Sequence, residues 1–362
     1  MDVFVLGLAL APARIRAAGE RLEELVWSVT RAALDDASVS RDEIEQVTLA
    51  ACDELDGRSI SGMLLAMPAG AYLKDEMRCT DSGLTGLALG ATRLAAGAFG
   101  LGLVVSWNKS STAPFEDVMR MRAEPFFTRP VGLNAAITDG LFAGAIAARH
   151  GITEDDATRE VLAGAARATR NPRAVRRPLP SAIGVAASPY LAFPLREGHR
   201  APLTDGAVAM VLASGAWLAR HGSARPLARL AGLGWSVDSY ALGGERLAAL
   251  ASLRDAGTRA FDMAGIAARD LDVCELDSQT GWHAAAYRRA FPTLDPDAVS
   301  PGGGAFAQNP YFCTGLVNAA EAALQAAGRA GPVQRPRTRW TAAQGGHGFA
   351  QQGNVVAVFE GT

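Results

Sequence analysis

Two segments of the chain, residues 82–98 and 315–330, are rich in alanine, leucine and glycine and carry apolar side chains around almost the whole helical circumference. A helix that is apolar on every side has to be covered on every side. The chain has 362 residues, 49% of them hydrophobic, which is enough to bury such helices. The two segments therefore predict helices in the middle of a large domain. They exclude a disordered, fibrous or small disulfide-stapled protein.

The order of strand and helix patterns in the first part of the chain returns in outline in the second part. Strands alternate with helices in both parts, which predicts an α/β fold with a mostly parallel sheet covered on both faces. The two buried helices also open with similar sequences, Cys79-Thr-Asp-Ser-Gly-Leu and Cys313-Thr-Gly-Leu. We infer an internal duplication with an N-terminal half at 1–214, including a proline-rich excursion over about 113–204, and a C-terminal half at 215–362.

The composition excludes several classes of function. Lysine and arginine number 35 against 37 aspartates and glutamates, so the net charge of −2 leaves no basic field for a nucleic-acid backbone. Four cysteines and five histidines are scattered, which predicts neither a disulfide framework nor a metal site. The glycine-rich segments lack the lysine of a phosphate-binding loop. No basic region precedes the N-terminal apolar run, and no stretch reaches the ~18 to 20 apolar residues that span a bilayer, which predicts a cytoplasmic protein.

Ligands of α/β sheets gather at the carboxyl ends of strands and at the N-termini of helices, and three segments of this chain are candidates. The first is the start of the first buried helix, where the sequence places Cys79. A thiol at a helix N-terminus has a lowered pKa because of the helix dipole, and it is a suitable nucleophile for a thioester. The alternative is that Cys79 is a small buried apolar residue, as most free cysteines are.

The second candidate segment runs from Gly302 to Gly315, where glycines and polar residues precede the second buried helix. Glycines in such a turn allow the backbone to approach a ligand closely. Asn309 is then a candidate donor to a carbonyl oxygen, and Tyr311 is a candidate acid. The alternative is a tight strand-to-helix turn in which Tyr311 only packs.

The third candidate segment is Gln344-Gly-Gly-His-Gly, between two predicted strands near the end of the chain. Gly346 and Gly348 offer backbone N–H groups for an oxyanion hole. His347 between them is the best placed base in the sequence, although a structural histidine is an equally good interpretation. His283, after the end of a strand in the second half, is a further candidate.

These motifs resemble the thiolase superfamily, and most closely its lipid-transfer (sterol carrier protein type) thiolases. The resemblance rests on the duplicated fold, the Cys-Thr-Asp-Ser-Gly-Leu helix start, the Gly-Gly-Gly…Asn-Pro turn and the closing Gly-Gly-His-Gly loop, and it extends over nearly the whole chain. It implies a five-layered α-β-α-β-α architecture with an extended loop domain. It also implies a homodimer that makes or breaks a C–C bond on an acyl thioester of coenzyme A or a carrier protein, through an acyl-cysteine and without a metal or nucleotide cofactor.

Each active-site motif departs from the thiolase pattern. Thiolases have Cys-Ala-Ser-Gly at the nucleophile, so aligning Ser82 places Thr80 at that position and Cys79 one residue early. One residue on a helix turns a side chain by roughly 100°. Asn309 stands where thiolases have the histidine of Gly-His-Pro, and the related ketosynthases carry an asparagine there. Ser278 falls near the position of a further histidine of the ketosynthases.

Three hypotheses follow from the resemblance. The first, which we favour, is an acyltransferase that uses Cys79 with His347 and Asn309. The second is a retro-aldol lyase on a CoA thioester with Tyr311 and His347 as acid and base, because steroid side-chain aldolases of this superfamily use tyrosines. The third is a non-catalytic subunit that associates with an active homologue or with a small OB-fold partner. The predicted substrate-binding residues are Gly346, Gly348, Ser278, His283 and Cys313.

Overall fold

The computed structural model describes residues 1–290 and 294–362 of the chain. Its strands are β1 (Val3–Leu10), β2 (Gln46–Ala51), β3 (Asp75–Thr80), β4 (Leu101–Lys109), β5 (Tyr190–Ala192), β6 (Leu195–Arg196), β7 (Asp205–Ser214), β8 (Ala228–Val237), β9 (Val273–Glu275), β10 (Trp340–His347) and β11 (Gly353–Gly361). Its α-helices are α1 (Leu22–Ala37), α2 (Ser61–Leu65), α3 (Gly83–Ala95), α4 (Phe115–Arg122), α5 (Ala135–His150), α6 (Glu154–Ala168), α7 (Ala182–Ala187), α8 (Gly215–Arg220), α9 (Gly244–Ala249), α10 (Ala251–Ala264), α11 (Gly281–Ala290) and α12 (Thr314–Ala326).

The two apolar helices predicted from the sequence are α3 and α12, and they form the middle layer of the molecule. They pack against each other, α3 on the strands of the first half and α12 on β9, β10 and β11 of the second half. All thirteen residues of α12 are buried. Helix α1 covers the outer face of β1 and β7, and α10 covers the outer face of β8 and β11. The predicted α-β-α-β-α architecture is therefore confirmed.

The sheet is mixed rather than mostly parallel, so that part of the prediction is wrong. Nine strands follow the order β3-β2-β4-β7-β1-β8-β11-β10-β9, and the two half-sheets join through the antiparallel pair β1–β8. Only the pairs β2–β3, β2–β4 and β9–β10 among the described strands are parallel. For the pair β10–β11, the connection of five residues is too short for a crossover, so the chain has to reverse and the two strands are antiparallel. Strand β7 returns from the excursion antiparallel to both of its neighbours.

Glycines allow the beginnings of α3 and α12 and the end of β10 to meet. A Cβ atom on Gly83 would lie 2.7 Å from Cβ of Leu316, and one on Gly315 would lie 2.9 Å from Cβ of Leu84. Gly345 of β10 completes the contact, since its Cβ atom would lie 2.9 Å from Cα of Gly315. Close-packed interiors do not absorb such overlaps. The residues that flank this contact in all three elements are therefore brought to one place.

The proline-rich excursion is a packed part of the domain. It carries α4, α5, α6 and α7, and α5 and α6 lie against α9 and α11 of the second half. Helix α4 adds Met119 and Arg122 to the wall of a cavity described below. Among the described residues, no helix is both long enough and apolar enough to cross a membrane.

A group of buried charges lies beneath the glycine-rich turn that precedes α12. Arg173 donates from Nε and Nη2 to the Glu321 carboxylate at 2.8 and 2.6 Å, and Gln308 donates to the same carboxylate at 2.8 Å. Glu275, at the end of β9, is 2% exposed. Burial, and then the nearby negative charge of Glu321, raise the pKa of Glu275 to about 8. Glu275 therefore keeps its proton near neutral pH.

This raised pKa predicts that the protein loses stability as the pH rises from about 4.5, the ordinary value for glutamate, to about 8. In that interval the folded chain binds the Glu275 proton and the unfolded chain does not, so the free energy of unfolding falls with increasing pH. Glu275→Gln keeps the shape of the neutral acid and removes the titration. We expect it to flatten the pH dependence of the unfolding free energy measured by denaturant titration between pH 5 and 8. Glu245→Gln at an exposed site is the control, and an equal slope in all three proteins would contradict the prediction.

Candidate active site

A cavity of about 130 Å³ lies where α3 and α12 begin and where β10 ends. Its lining is more varied than that of an ordinary packing defect, because it contains acids, amides, two phenols, a guanidinium and an imidazole. The polar side chains that line it are Asp81, Arg122, Tyr240, Asp277, Gln279, Tyr311, His347, Gln351 and Gln352. A concave site with several convergent polar groups is the usual form of an active site. Cavities of roughly this size hold a group as large as benzene.

Tyr311 lies in the short turn before α12, and the structure places it in the cavity wall as a candidate acid. The rings of Phe115 and Phe312 contact its ring edge-on, with centroids 4.6 and 4.9 Å away, and fix its position. Burial, and then the negative charge of Asp139, raise the pKa of Tyr311 well above its ordinary value. The phenol is therefore protonated at working pH and serves as a hydrogen-bond donor.

His347, the candidate base, ends β10 and also lines the cavity. Its ring lies over Gly353 of the neighbouring strand, where a Cβ atom would come within 2.1 Å of the ring. Only glycine at that position leaves room for the imidazole. Burial lowers the pKa of His347 below its ordinary value. The ring is therefore neutral near pH 7 and can accept a proton.

The glycines on either side of His347 line the cavity, but one of the two backbone N–H groups is already engaged. The amide of Gly346 donates to Oδ2 of Asp277 at 3.1 Å. Gly348 adopts a φ of +73°, which favours glycine, and it turns the chain out of β10. An oxyanion hole made from both amides therefore requires Asp277 to release Gly346.

Asn309 supports the cavity from behind rather than lining it. Its side chain is 1% exposed, donates to Oε1 of Gln279 at 2.9 Å and accepts from the Thr314 hydroxyl at 2.8 Å. Gln279 does line the cavity and donates onward to Asp277. Asn309 thus reaches the site through Gln279, which engages one of the two N–H donors of its side-chain amide.

Cys79 lies in β3, opposite Ala50 of β2, and not at the start of a helix as the sequence predicted. The reason is that β3 continues to Thr80, so that the N-terminus of α3 begins only at Ser82 and Gly83. The Cys79 side chain is not part of the cavity wall. Burial, and then the nearby Asp81, raise the pKa of its thiol to about 11. The helix-dipole argument for a reactive thiolate therefore does not apply in this conformation.

Three of the predicted substrate-binding residues also lie outside the cavity. Cys313 is completely buried in the middle layer, and burial raises the pKa of its thiol to about 12. His283 is completely buried, stacks on Phe142 at 4.2 Å, and has a pKa lowered to about 3 by burial. Ser278 is 7% exposed and lines a different, smaller cavity. Of the residues proposed for substrate binding, the structure brings Gly346 and Gly348 to the site.

Three charged residues of the site were not predicted from the sequence. Asp81 follows β3 directly, Asp277 follows β9, and Arg122 ends α4 in the excursion. Burial raises the pKa of Asp277 to about 6, although hydrogen bonds from Gly346 and Gln279 oppose this shift. The sequence did contain a signal for Asp81. A carboxylate directly before a helix that is apolar on every side is buried with that helix, and a buried charge needs a polar partner. No group of three or more histidine, cysteine or acidic side chains in the described part of the chain is placed to hold a metal ion.

The chain is similar to known proteins in its structure. No family model matches the sequence, and no curated protein sequence matches it. Human mitochondrial 3-ketoacyl-CoA thiolase, solved in complex with CoA, superposes with a TM-score of 0.82 at 18% identity, covering 99% of this chain and 98% of that one. Acetyl-CoA acetyltransferase from Syntrophomonas wolfei superposes with a TM-score of 0.77 at 16% identity, covering 99% of each chain. The chain therefore has the thiolase fold over 99% of its length.

Proposed function

We propose that the protein is an aldol-type lyase that breaks or forms a C–C bond in an acyl thioester. The observation that carries this proposal is the chemistry of the cavity wall. It contains a phenol that donates, Tyr311, and a neutral imidazole that accepts, His347, whereas no thiol of the described residues lines it. Proton transfer by such groups is sufficient for aldol chemistry, which needs no acyl-enzyme.

In the proposed cleavage, the hydroxyl proton of a 3-hydroxyacyl thioester passes to a carboxylate of the cavity wall as the bond between its α- and β-carbons breaks. The electron pair moves onto the α-carbon and the thioester oxygen, and an aldehyde or ketone leaves. Tyr311 is the acid that donates a hydrogen bond to the thioester oxygen. His347 is the base that takes the α-carbon proton in condensation and, as imidazolium, returns it in cleavage. The acyl thioester that remains is shorter by the carbonyl product.

The thioester carrier in this proposal is coenzyme A or an acyl-carrier protein. The fold supports it, because the human mitochondrial thiolase with the same fold was solved in complex with CoA. A cavity of about 130 Å³ accommodates a short acyl group. Arg176 and Arg177 in the proline-rich excursion are exposed, and they are candidates to receive phosphates of the carrier or to form a solvated face, whereas Arg173 nearby is paired with Glu321.

A second candidate function is acyl transfer through Cys79. It is favoured by the position of Cys79, two residues before Asp81 at the cavity. It requires the turn between β3 and α3 to be rebuilt, because the thiol is buried and protonated where it now lies. The third candidate function is that of a non-catalytic subunit of a complex. Under all three proposals, the location of the protein in the cytoplasm stays a prediction.

We also propose that the active form is a homodimer, formed along β3. This strand is the edge of the nine-stranded sheet, and an unpaired edge is a ready template for another strand. The segment before it exposes six large apolar side chains, of which Met63, Met67 and Leu73 are the most exposed, at 76%, 66% and 83%. Apolar residues beside an open edge favour a second copy of the chain. A small OB-fold protein or another chain of this fold are alternative partners.

Tyr311→Phe is expected to lower the rate of cleavage of short 3-hydroxyacyl-CoA substrates by roughly 10²- to 10⁴-fold, because it removes only the acidic proton. His347→Gln is expected to have a similar effect. Release of aldehyde or ketone and of the shorter acyl-CoA measures the reaction. Tyr190→Phe, outside the cavity, is the matched control. The proposal fails if the wild-type protein releases no carbonyl product from any 3-hydroxyacyl thioester offered.

Incubation with acetyl-, malonyl- and longer acyl-CoA is expected to leave the intact mass of the protein unchanged. The reason is that a thiol with a pKa of about 11, outside the cavity, is not a competent nucleophile. Intact-mass spectrometry followed by peptide mapping measures this. An acyl group on Cys79 that disappears in Cys79→Ser would select the acyltransferase and overturn the lyase.

Met63→Lys combined with Leu73→Lys is expected to convert a dimer of twice the 37.7 kDa chain into monomers. Charges at these exposed sites oppose burial in an interface and leave the folded monomer intact. Light scattering after size exclusion measures the mass. Phe126→Lys, at an exposed apolar residue of the excursion, is the control. A wild-type monomer, or a double variant that stays dimeric, would contradict an interface along β3.

A further inference from the structure

Asp81 occupies the sharp turn that joins β3 to the central helix α3. Its φ of +64° and the φ of +28° at Ser82 place two consecutive residues in the left-handed region, and this presents the Asp81 side chain at the cavity. Residues other than glycine adopt such angles at a cost, and aspartate and asparagine adopt them more readily than most. The Ser82 hydroxyl caps the helix by accepting from the amide of Thr85 at 3.4 Å. The turn therefore holds a carboxyl group, rather than a thiol, at the site.

The Asp81 carboxyl is fixed on one side only. Its Oδ2 pairs with Nη2 of Arg122, while Arg122 uses Nη1 to contact Glu54 at 3.1 Å and Sγ of Cys52 at 3.5 Å. Its Oδ1 is buried and has no hydrogen-bond partner in the described part of the chain. A buried acceptor without a donor is costly, and a donor supplied by a ligand removes that cost.

We propose that Asp81 is the catalytic residue that exchanges a proton with the β-oxygen of the substrate, an inference that rests on the proposed lyase function. In cleavage, the hydroxyl proton moves to the Asp81 carboxylate as the C–C bond breaks and the carbonyl forms. Tyr311 donates to the thioester oxygen, and the α-carbon takes a proton from His347. The proton on Asp81 then returns to His347 through water in the cavity, which restores both groups.

The electrostatics of the site agree with this role. Burial raises the pKa of Asp81 more than the adjacent Arg122 guanidinium lowers it, whereas burial lowers the pKa of His347. Both shifts favour a protonated Asp81 and a neutral His347, which are the forms that condensation requires. The same two groups serve cleavage in the opposite protonation states. The substrate class that fits Asp81 is a 3-hydroxyacyl thioester, because its hydroxyl supplies the missing donor.

The test compares two ligands that differ by one hydroxyl, 3-hydroxybutyryl-CoA and butyryl-CoA. Binding is measured by calorimetry in the Tyr311→Phe chain, which retains Asp81 and slows turnover. We expect the hydroxylated ligand to bind at least about tenfold more tightly, since its hydroxyl supplies the donor that Oδ1 of Asp81 lacks. Adding Asp81→Asn is expected to reduce this preference to about threefold or less. Asparagine tolerates the positive φ, so the fold is retained.

In the otherwise wild-type chain, Asp81→Asn is expected to lower the cleavage rate by roughly 10²- to 10⁴-fold. The matched control is Glu54→Gln, which removes the other carboxylate of Arg122 but lies outside the cavity and is 49% exposed. An unchanged preference for the hydroxylated ligand in Asp81→Asn, or an unchanged rate, overturns the role of Asp81 while the lyase proposal stands. Failure of both CoA ligands to bind, together with no carbonyl product from the wild-type protein, overturns both proposals.

Discussion

The site depends on one contact, in which three segments meet at glycines that have no room for a side chain of their own. Gly83 begins α3, Gly315 lies in the first turn of α12, and Gly345 precedes the end of β10, and each would bring a Cβ atom within 3 Å of a neighbour. Because each half of the duplicated fold contributes one of the two helices, their N-termini meet at the centre of the molecule. The residues just outside the contact, Asp81 and His347 among them, then line the cavity.

Burial at this contact shifts the pKa values of the groups that line the site more than any single ion pair does. It is the first cause of the shifts at Asp81, Asp277, Tyr311 and His347, raising the pKa of the acids and lowering that of the imidazole. Each group is thereby moved toward its neutral form. The Arg122 guanidinium, paired with Asp81, remains the charged group beside them. The same burial suppresses the thiolate of Cys79.

The layered fold could be predicted from the sequence because it depends on patterns that extend over many residues. The two helices apolar on all sides predicted a covered middle layer, and the resemblance to the thiolases implied the five layers. The directions themselves were not predicted correctly, because they depend on connections such as residues 348–352 between β10 and β11. Tyr311 and His347 could be predicted as site residues because glycines around them mark places where the backbone packs closely. Their neighbours Asp277 and Arg122 come from distant segments that only the fold brings together.

The position of Cys79 was predicted wrongly for a reason that also explains the chemistry of the site. In sequence, Cys79 and Asp81 are equally good neighbours of the helix start, and the residue type alone favours the thiol. In the structure, β3 runs through Thr80, so the strand's alternation directs Cys79 toward the middle layer, where its Sγ lies 3.7 Å from the position of a Cβ atom on Gly86. The chain leaves the strand only at Asp81, where two positive φ angles turn it toward the cavity. The residue that a turn of this kind presents is set by where the strand ends.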